Sequence, residues 1–384
     1  MPKWRDKDYD DDKYIDKYEK RDKIRKKPSV MKTSDQLTDT FERPEDDWEE
    51  KLAAGAFAAR VVEVHKRYVF VSREDKLGKI DTRDVWIATM SRKFLIGQRA
   101  ERNFVCVGDR VLCLPSEKRD ESIGADLPQC SLLHVAPRTA RIARVDPSQS
   151  DREHVLASNM QQVLVVASFL NPKVRWGLID RYLVLAEREG VVPIVVLNKK
   201  DLIPTEAPEF AEDCAARVQE YRRLGYEVLE MQANAAKVEK SAEVKRLKQI
   251  FKGKITLLSG HSGVGKSSLV NLFDPELVQV VEENELFYKG RHTTTFASFI
   301  KLGTGGYAID TPGIRSFSIG KTDAISLSGC FPEMRELLGK CKFRECAHDK
   351  EPDCAVKTSM EAGVVKPWRH RTYLGMLHGD IEVV

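Results

Sequence analysis

The chain lacks long hydrophobic runs, and its first residues contain no apolar segment. A membrane-spanning helix needs about 20 consecutive apolar residues, and a secretory signal needs an apolar core near the N-terminus. Cysteine is also scarce, with eight residues that are scattered except for three near the C-terminus. Without an export signal, reduced thiols and metal ligands are expected rather than disulfides. We therefore expect a cytoplasmic protein that makes no membrane contact.

Charge is distributed unevenly. Residues 1–50 hold 13 Lys and Arg against 16 Asp and Glu, whereas the whole chain has a formal net charge of +4, so the basic excess belongs to the remainder. The first 50 residues show almost no apolar periodicity, which predicts a solvated tail that is disordered or marginally helical. An RNA-contacting arm built on residues 21–27 is the alternative.

Residues 51–148 contain short alternating apolar runs such as FAARVVEV and RVLCLP, punctuated by glycines. This pattern predicts a small β-barrel of the OB type. Its basic and partly aromatic surface suits RNA backbone and stacked bases, but a solvated barrel face explains the same composition. The basic residues of this surface are Arg67, Arg73, Arg92, Lys93, Arg138, Arg141 and Arg144.

Residues 149–322 show buried strands that alternate with helices, which is typical of a parallel α/β sheet. The runs QVLVVASF and VVPIVVLNKKD are continuously apolar and end in polar loops, while LIDRYLVLAEREG and PEFAEDCAARVQEYRRLG have helical periodicity. The segments TTFASFIKL and GYAIDTPG predict a hairpin across GTGG.

The segment GHSGVGKSSL, residues 260–269, has the spacing of a phosphate-binding loop between a strand and a helix. Its glycines let the backbone wrap a phosphate chain, Lys266 would reach the terminal phosphates, and Ser267 would bind Mg²⁺. We predict that nine residues of this loop contact nucleotide: Gly260, His261, Ser262, Gly263, Val264, Gly265, Lys266, Ser267 and Ser268.

The segment NKKD, residues 198–201, follows an apolar strand, and in α/β sheets ligands bind at such carboxyl ends. Guanine presents a ring N–H beside an exocyclic amine, and the carboxylate of Asp201 can accept both, while Asn198 can serve an acceptor on the other edge. Lys199 and Lys200 are placed in the same nucleotide site. A lysine-rich turn after a strand is the alternative.

The segment DTPG, residues 310–313, completes the phosphate side. Asp310 at a strand end suits an aspartate that holds Mg²⁺ through water, and the N–H of Gly313 can sense the terminal phosphate. In KGRHTTT, residues 289–295, Thr294 would close over Mg²⁺ when triphosphate is bound. A flexible threonine-rich loop is the alternative. The predicted magnesium ligands are Ser267, Thr294 and Asp310.

Four residues near the C-terminus have the spacing C-x₄-C-x-H-x₅-C: Cys341, Cys346, His348 and Cys354. Three thiolates and one imidazole make a closed tetrahedral site for one structural Zn²⁺. Iron–sulfur ligation or a redox role is the alternative. We assign residues 323–384 to a zinc-binding helical domain. Buried thiols are predicted for the other cysteines: Cys106, Cys113, Cys130, Cys214 and Cys330.

In their permuted order, the segments NKKDL, GHSGVGKSSL, GRHTTT and DTPGIRSF, flanked by a barrel and a cysteine cluster, resemble the ribosome small-subunit-dependent GTPase family RsgA, also called YjeQ. The resemblance runs from about residue 56 to the C-terminus and leaves out the charged tail. It implies an OB-type barrel, a circularly permuted P-loop GTPase domain, a zinc-binding C-terminal domain, and a role in late maturation of the small ribosomal subunit.

Two departures from the usual GTPase pattern affect the site. Ile314 stands after DTPG where many GTPases place a glutamine that orients the attacking water, so slow intrinsic hydrolysis is expected. His292 matches the family's switch histidine and would act on that water as the catalytic residue, although an exposed switch histidine is the alternative. Gln232 and Ala233 align with the Ser-Ala pair of the loop that caps the base.

Together these features predict a multidomain α/β protein with a charged tail over 1–50. The predicted activity is GTP hydrolysis that the small ribosomal subunit stimulates, with Mg²⁺ bound alongside GTP or GDP. Ribosomal RNA is the expected partner and a monomer the expected state. The alternatives are a GTPase of large-subunit assembly, an RNA-binding assembly factor whose nucleotide site is only structural, and a P-loop ATPase or kinase.

Overall fold

A computed structural model describes most of the chain. The described residues are 45–65, 67–75, 78–90, 105–117, 127–146, 149–233, 240–272, 298–310 and 322–379. The charged tail lies almost entirely outside them, as do Arg92, Lys93, His292, Thr294 and Gly313. Residues from Trp48 to Val384 belong to one compact unit.

The first sheet is a closed barrel of five strands in the order β1-β2-β3-β5-β4. Side chains alternate between interior and surface, so that Ala59, Val61, Val69 and Val71 fill the interior. This architecture confirms the predicted OB-type barrel. A short helix precedes it, and the bounds are α1 Glu45–Ala53, β1 Phe57–Val64, β2 Tyr68–Glu74, β3 Ile80–Met90, β4 Arg110–Pro115 and β5 Gln129–Val135.

A separate two-stranded antiparallel sheet follows the barrel, formed by β6 Arg141–Asp146 and β7 Gln149–Ser158. Ile142 and Ala157 pack into the same apolar cluster as the next sheet. These two paired strands therefore lie on either side of residue 148, the predicted boundary between the barrel and the GTPase domain. The division of the chain into these four domains stays a prediction.

The central sheet has six strands in the order β10-β9-β8-β11-β13-β12, parallel except for the final pair. The predicted hairpin across GTGG is confirmed as β12 and β13. The elements of this region are β8 Gln162–Ser168, α2 Trp176–Arg188, β9 Val192–Asn198, a 3-10 helix Lys200–Thr205, α3 Pro208–Arg223, β10 Glu227–Glu230, α4 Ala242–Phe251, β11 Ile255–Ser259, α5 Lys266–Asn271, β12 Ser298–Lys301 and β13 Tyr307–Asp310.

Both faces of this sheet are covered, which explains its nearly continuous apolar strands. On one face Leu257 packs in a cluster with Ile179 and Leu183 of α2; on the other, Leu258 packs with Leu247 and Phe251 of α4. Successive strand residues point to opposite faces, so each strand contributes to both clusters.

The C-terminal region is made of short helices: α6 Ala324–Gly329, α7 Pro332–Arg335, α8 Ala355–Glu361 and α9 Pro367–His378. The carboxylate of Asp323 caps α6 by accepting a hydrogen bond from the Ser326 N–H at 2.9 Å. Within the segment CFPEMRELLGK, α7 is a single helical turn that ends at Arg335. Within the described ranges, no helix is both long enough and apolar enough to cross a membrane.

Candidate nucleotide and metal sites

The glycine loop connects β11 to α5, and two of its glycines are required by close contacts. Gly260 has φ +146°, and a Cβ there would lie 2.1 Å from the carbonyl oxygen of Val166 on the neighbouring strand. Gly265 has φ +99°, and a Cβ there would lie 2.2 Å from the amide nitrogen of Asn198. Any side chain at either position would therefore displace backbone or the amide of Asn198.

Lys266 begins α5 and folds back over the loop. Its Nζ donates hydrogen bonds to the carbonyl oxygens of Gly260 at 2.7 Å and His261 at 3.1 Å. Burial lowers the pKa of Lys266, while the nearby carboxylate of Asp310 acts in the opposite direction. The ammonium group is thus held inside the loop, near the aspartate that ends β13.

Asn198 joins the glycine loop to the loop after β10. Its side chain is buried, its Nδ2 donates to the Val264 carbonyl at 3.0 Å, and its Oδ1 accepts from the Ala233 N–H at 2.9 Å. We predicted that this amide would meet an acceptor of guanine. The amide holds two loops in place through its oxygen and one N–H, so the predicted contact with guanine would use the second N–H of Nδ2, and a guanine oxygen would share the Ala233 N–H with Asn198.

Lys199 links the glycine loop to the loop that follows β8. It has a left-handed backbone with φ +60°, and its Nζ donates to the carbonyls of Gly263, at 2.8 Å, and Asn171. Asp201 follows in the 3-10 helix and is exposed, as a side chain that reads a base must be. Lys200 forms an ion pair with Glu230 of β10 at 3.1 Å.

The other predicted nucleotide-binding residues that the structure describes lie in or near the glycine loop. Ser262, Gly263, Ser267 and Gln232 are exposed, while Ser268 is half-buried. His261 is also half-buried, with Nδ1 3.1 Å from the Ser262 carbonyl. Asp310 pairs in register with Leu258, the residue that precedes Ser259 at the end of β11. The structure therefore brings the phosphate loop, the NKKD segment and Asp310 to the carboxyl edge of one sheet.

The predicted zinc ligands converge in the C-terminal region. The ligand atoms of Cys341, Cys346, His348 and Cys354 all lie within 4.8 Å of one another. His348 Nδ1 is 3.6 Å from the Cys341 sulfur and 3.4 Å from the Cys354 sulfur, and these two sulfurs are 4.0 Å apart. Tetrahedral zinc with Zn–S near 2.3 Å requires ligand separations of about 3.6 to 3.8 Å. The cluster is compatible with a structural zinc ion.

The surroundings of the cluster also suit a metal. Burial lowers the pKa of His348, which keeps its imidazole neutral and able to coordinate. Burial raises the pKa of Cys346 to about 12, so this sulfur becomes a thiolate at neutral pH only with a cation beside it. His370 Nε2 lies 2.7 Å from the His348 carbonyl and braces the loop from α9. The other five cysteines are buried, as predicted.

A fully buried cluster of charges joins the C-terminal region to the central sheet's helices. Arg369 of α9 donates to Asp180 of α2 at 2.6 Å and to Glu333 of α7 at 2.7 Å, and all three side chains are at most 1% exposed. Tyr221 of α3 donates to the same Asp180 oxygen at 2.7 Å. The Arg369 guanidinium also lies 4.6 Å from the ring centroid of Phe331.

The structure leaves fewer of the predicted basic side chains facing solvent on the barrel. Arg138 donates two hydrogen bonds, at 2.8 and 2.9 Å, to the fully buried carboxylate of Asp109, which also accepts from Ser158 of β7. Arg138 therefore joins the barrel to β7 rather than facing solvent. Arg73 does lie on an aromatic surface, with its guanidinium carbon 4.4 Å from the Phe57 ring centroid and 5.2 Å from that of Trp86.

Sequence reasoning missed Asn171, whose carbonyl accepts from Lys199, and the whole Arg369 cluster. A signal for Asn171 was available, because LNP follows the carboxyl end of β8 and the ends of parallel strands meet at one sheet edge. No comparable signal marked Asp180, which stands within an otherwise ordinary amphipathic helix pattern.

Comparison with known proteins agrees with this architecture. Residues 135–320 match the family model described as RsgA GTPase. The chain is 35% identical to the small ribosomal subunit biogenesis GTPase RsgA of Flavobacterium johnsoniae, covering 76% of this chain and 86% of that protein. It is 37% identical to the protein of the same name from Ectopseudomonas mendocina, covering 73% and 76%.

Two solved structures share the fold. YjeQ from Thermotoga maritima superposes with a TM-score of 0.61 at 27% identity, over 84% of this chain and 98% of that one. YloQ, described as a circularly permuted GTPase, superposes with a TM-score of 0.60 at 26% identity, over 84% and 94%. The NKKD strand likewise precedes the phosphate loop here, and with the sequence identities this shows that the chain belongs to the RsgA family of circularly permuted GTPases.

Proposed function

We propose that this protein hydrolyses GTP during late maturation of the small ribosomal subunit and that the subunit stimulates its turnover. The hydrogen bonds of Asn198 carry the proposal, because they join the glycine loop and the base-capping loop into one site. The names of its relatives support the link to small-subunit biogenesis.

In this proposal the residues divide between base and phosphates. Asp201 accepts the two adjacent N–H groups of guanine, which adenine lacks, and the Ala233 N–H is shared between Asn198 and the guanine oxygen. The backbone N–H groups of the glycine loop and the start of α5 surround the phosphates, and Lys266 neutralises their charge. Lys199 supports this arrangement by holding Gly263.

Two metals have donor sets in the chain. Mg²⁺ would be held by Ser267, Thr294 and Asp310, and when bound it neutralises charge on the phosphates. Zinc would be held by the Cys341, Cys346, His348 and Cys354 cluster, where it is structural because all four positions are taken by protein ligands. Gly313 is the proposed sensor of the terminal phosphate.

We propose His292 as the residue that orients or deprotonates the attacking water, since Ile314 cannot hydrogen-bond it. Both residues lie outside the described part of the chain, so this role rests on the sequence alone. Replacing His292 with alanine is expected to lower stimulated turnover and to leave nucleotide affinity unchanged. Equal loss of both would contradict the assignment.

The barrel is the proposed RNA-binding surface. Arg73 is 44% exposed, pairs with Asp84 at 3.2 Å, and lies against the rings of Phe57 and Trp86, a combination of basic and aromatic side chains that single-stranded RNA binding commonly uses. Arg67, between β1 and β2, is also exposed. We expect the protein to act as a monomer, which light scattering of the purified chain tests.

The first experiment measures hydrolysis of GTP and of ATP by the purified protein alone, with isolated small subunits, and with isolated large subunits. Stimulation by small subunits only, with ATP inert, is the expected result. Stimulation by large subunits would instead indicate a large-subunit GTPase. Binding of GTP without stimulation by either subunit would indicate an RNA-binding factor whose nucleotide site is structural, and comparable ATP turnover would exclude the assigned base specificity.

A second experiment tests the base-reading residue. Asp201→Asn exchanges an acceptor for a donor and should lower GTP affinity by about 100-fold or more, because the guanine amine then meets an amide N–H. Xanthosine triphosphate, which has an oxygen in place of that amine, should bind the variant better than the wild type. The control is Asp213→Asn on α3, an exposed residue paired with Arg217. GTP affinity unchanged in Asp201→Asn would remove Asp201 from the site.

A further inference from the structure

One tyrosine attaches the strand that ends in Asp310 to the barrel. The Tyr307 hydroxyl accepts a hydrogen bond from the Ile80 N–H and donates one to the Ile80 carbonyl, both at 3.0 Å. Ile80 is the first residue of β3 and is 1% exposed. The residues are separated by 227 positions in sequence, so this contact joins two distant parts of the chain.

Apolar packing supports the same contact. The rings of Tyr307 and Phe299 are 5.3 Å apart between centroids, which ties β13 to β12. A Cβ on Gly108 of the barrel would approach the Ile309 side chain to 3.3 Å and the Ser158 carbonyl to 2.1 Å. Glycine at this position therefore lets the barrel backbone pack directly against the β12–β13 hairpin and β7.

The strand that carries Tyr307 leads directly to the phosphate side of the site. Tyr307 pairs in register with Ile255, and Asp310, three residues later, pairs with Leu258. Three residues of extended chain span about 10 Å, with no loop between them to absorb a displacement. A shift of the Tyr307 end of β13 relative to the sheet is thus passed to Asp310.

We propose that Tyr307 is a positioning residue that couples occupancy of the barrel surface to the placement of Asp310. RNA that binds the barrel and fixes β3 would hold Tyr307 through both hydrogen bonds and thereby hold Asp310 where the triphosphate requires it. This inference rests on the proposed function, because it takes the barrel as the surface that meets the small subunit. Coupling between two sites is reciprocal in free energy, so nucleotide should also change β3.

The test uses Tyr307→Phe, which keeps the ring and its packing against Phe299 but removes both hydrogen bonds. The readout is the ratio of subunit-stimulated to unstimulated GTP turnover, which a loss of stability alone would not change in a protein that remains folded. We expect this ratio to fall about ten-fold, within the usual range for coupling between sites, while the KM for GTP stays unchanged. A wild-type ratio in Tyr307→Phe would overturn the inference.

The matched control is Tyr226→Phe. Tyr226 is buried in the same apolar cluster, but its hydroxyl finds no hydrogen-bond partner among the described residues. The same chemical change there should leave the stimulation ratio at the wild-type value. A fall equal to that of Tyr307→Phe would assign the effect to the core and overturn the inference.

Hydrogen exchange separates this inference from the proposed function. In the full-length wild type without ribosomal subunits, a non-hydrolysable GTP analogue should slow amide exchange at residues 84–90 of β3, and the difference should vanish in Tyr307→Phe. Wild-type protein that small subunits do not stimulate would refute the proposed function, and this exchange measurement would still decide the coupling. If the GTP analogue does not change amide exchange in wild-type β3, the proposed coupling is overturned.

Discussion

The central sheet is held to its two neighbours by contacts of different chemistry. Where β13 meets the barrel, the polar contact is a neutral hydroxyl that bonds the Ile80 backbone. Where α2 and α3 meet the C-terminal region, the contact is the buried charge cluster of Arg369, Asp180 and Glu333. A neutral hydrogen bond contributes about 1 kcal/mol, whereas leaving a buried charge unpaired costs about 3–5 kcal/mol.

This difference indicates which joint can move. Charges that are fully buried tolerate only one arrangement, because any separation leaves them without both solvent and partner. The Tyr307 contact can lengthen or re-form at modest cost. We infer that the C-terminal region and the helices α2 and α3 behave as one rigid part, whereas the contact between β13 and the barrel can adjust within the limit set by the buried Arg138–Asp109 pair beside β7.

The largest effect is expected from loss of the metal cluster. It should disrupt the buried charge cluster of Arg369, Asp180 and Glu333, which we call the charged joint, and leave intact the Tyr307–Ile80 contact, which we call the neutral joint. Cys354→Ser removes one ligand, and structural zinc contributes on the order of 10 kcal/mol to small metal-dependent folds. We expect loss of bound zinc by elemental analysis and fast hydrogen exchange over 322–379, with unchanged exchange in the barrel.

Cys330→Ser is the control for that experiment, because Cys330 is a buried thiol that donates to the Ser326 carbonyl at 3.3 Å and is not a ligand. Its zinc content should match the wild type. Full zinc content and protection in Cys354→Ser would exclude this cysteine as a ligand.

A direct test of the charged joint is Arg369→Met, which leaves Asp180 and Glu333 buried without their cation. We expect the free energy of unfolding in urea to fall by about 3–5 kcal/mol. Arg335→Met is the control, since Arg335 pairs with Glu187 from a half-exposed position and should cost at most about 1 kcal/mol. Adding Asp180→Asn and Glu333→Gln to Arg369→Met should restore part of the loss. Equal costs for Arg369→Met and Arg335→Met would mean that burial adds nothing to the cost of removing the Arg369 cation.

The neutral joint should be weaker. Tyr307→Phe leaves the Ile80 N–H and carbonyl without the hydroxyl, and we expect it to lower the free energy of unfolding by about 1–2 kcal/mol, less than Arg369→Met under the same conditions. Tyr226→Phe should be nearly neutral, because its hydroxyl has no partner to lose among the described residues. A cost for Tyr307→Phe as large as that of Arg369→Met would show that both joints are equally fixed.

The smallest effect concerns an exposed charge in the C-terminal region, the Asp323 cap of α6. Hydrogen bonds from the Ser326 hydroxyl and N–H lower the pKa of Asp323 below its unfolded value of 3.8. The cap therefore stabilises the fold fully above that value, and the stabilisation is lost as pH falls through the lower folded pKa. Asp323→Ala should cost about 1 kcal/mol at pH 7.

The difference between Asp323→Ala and the wild type should shrink below pH 3.8, when unfolding is measured across this range. Asp323→Asn retains a capping oxygen but does not titrate, so its stability relative to Asp323→Ala should not depend on pH. A constant difference between wild type and Asp323→Ala across the range would mean that the carboxylate charge is irrelevant to the cap.

Features with a fixed local spacing could be predicted from the sequence. The glycine loop, the NKKD segment, the zinc ligands and the β12–β13 hairpin are each written within a short stretch, and the structure places the described members as expected. The closed barrel also followed from strand alternation. Local patterns suffice here because the backbone conformation itself creates the site.

Contacts between distant segments could not be predicted. Asn198 is predicted to contact the base, but the sequence does not show that its amide also bonds Val264 and Ala233, which lie 66 and 35 residues away. The sequence predicts an exposed cation at Arg138, but in the structure this side chain pairs with the buried carboxylate of Asp109. Tyr307 and Arg369 carry no motif, because their partners are a backbone group and two acids on separate elements. No spacing rule identifies such contacts between distant residues in a single sequence.

The permuted strand order has a consequence for how the chain is made. Strand β8 lies between β9 and β11, and its Gln162 donates a buried hydrogen bond to Thr256, 94 residues later in the chain. At about 5–20 residues per second of synthesis, one edge of β8 stays unpaired for roughly 5–20 s after it leaves the ribosome. During that interval an apolar strand edge is open to other chains, so this protein should depend on chaperones during its own translation.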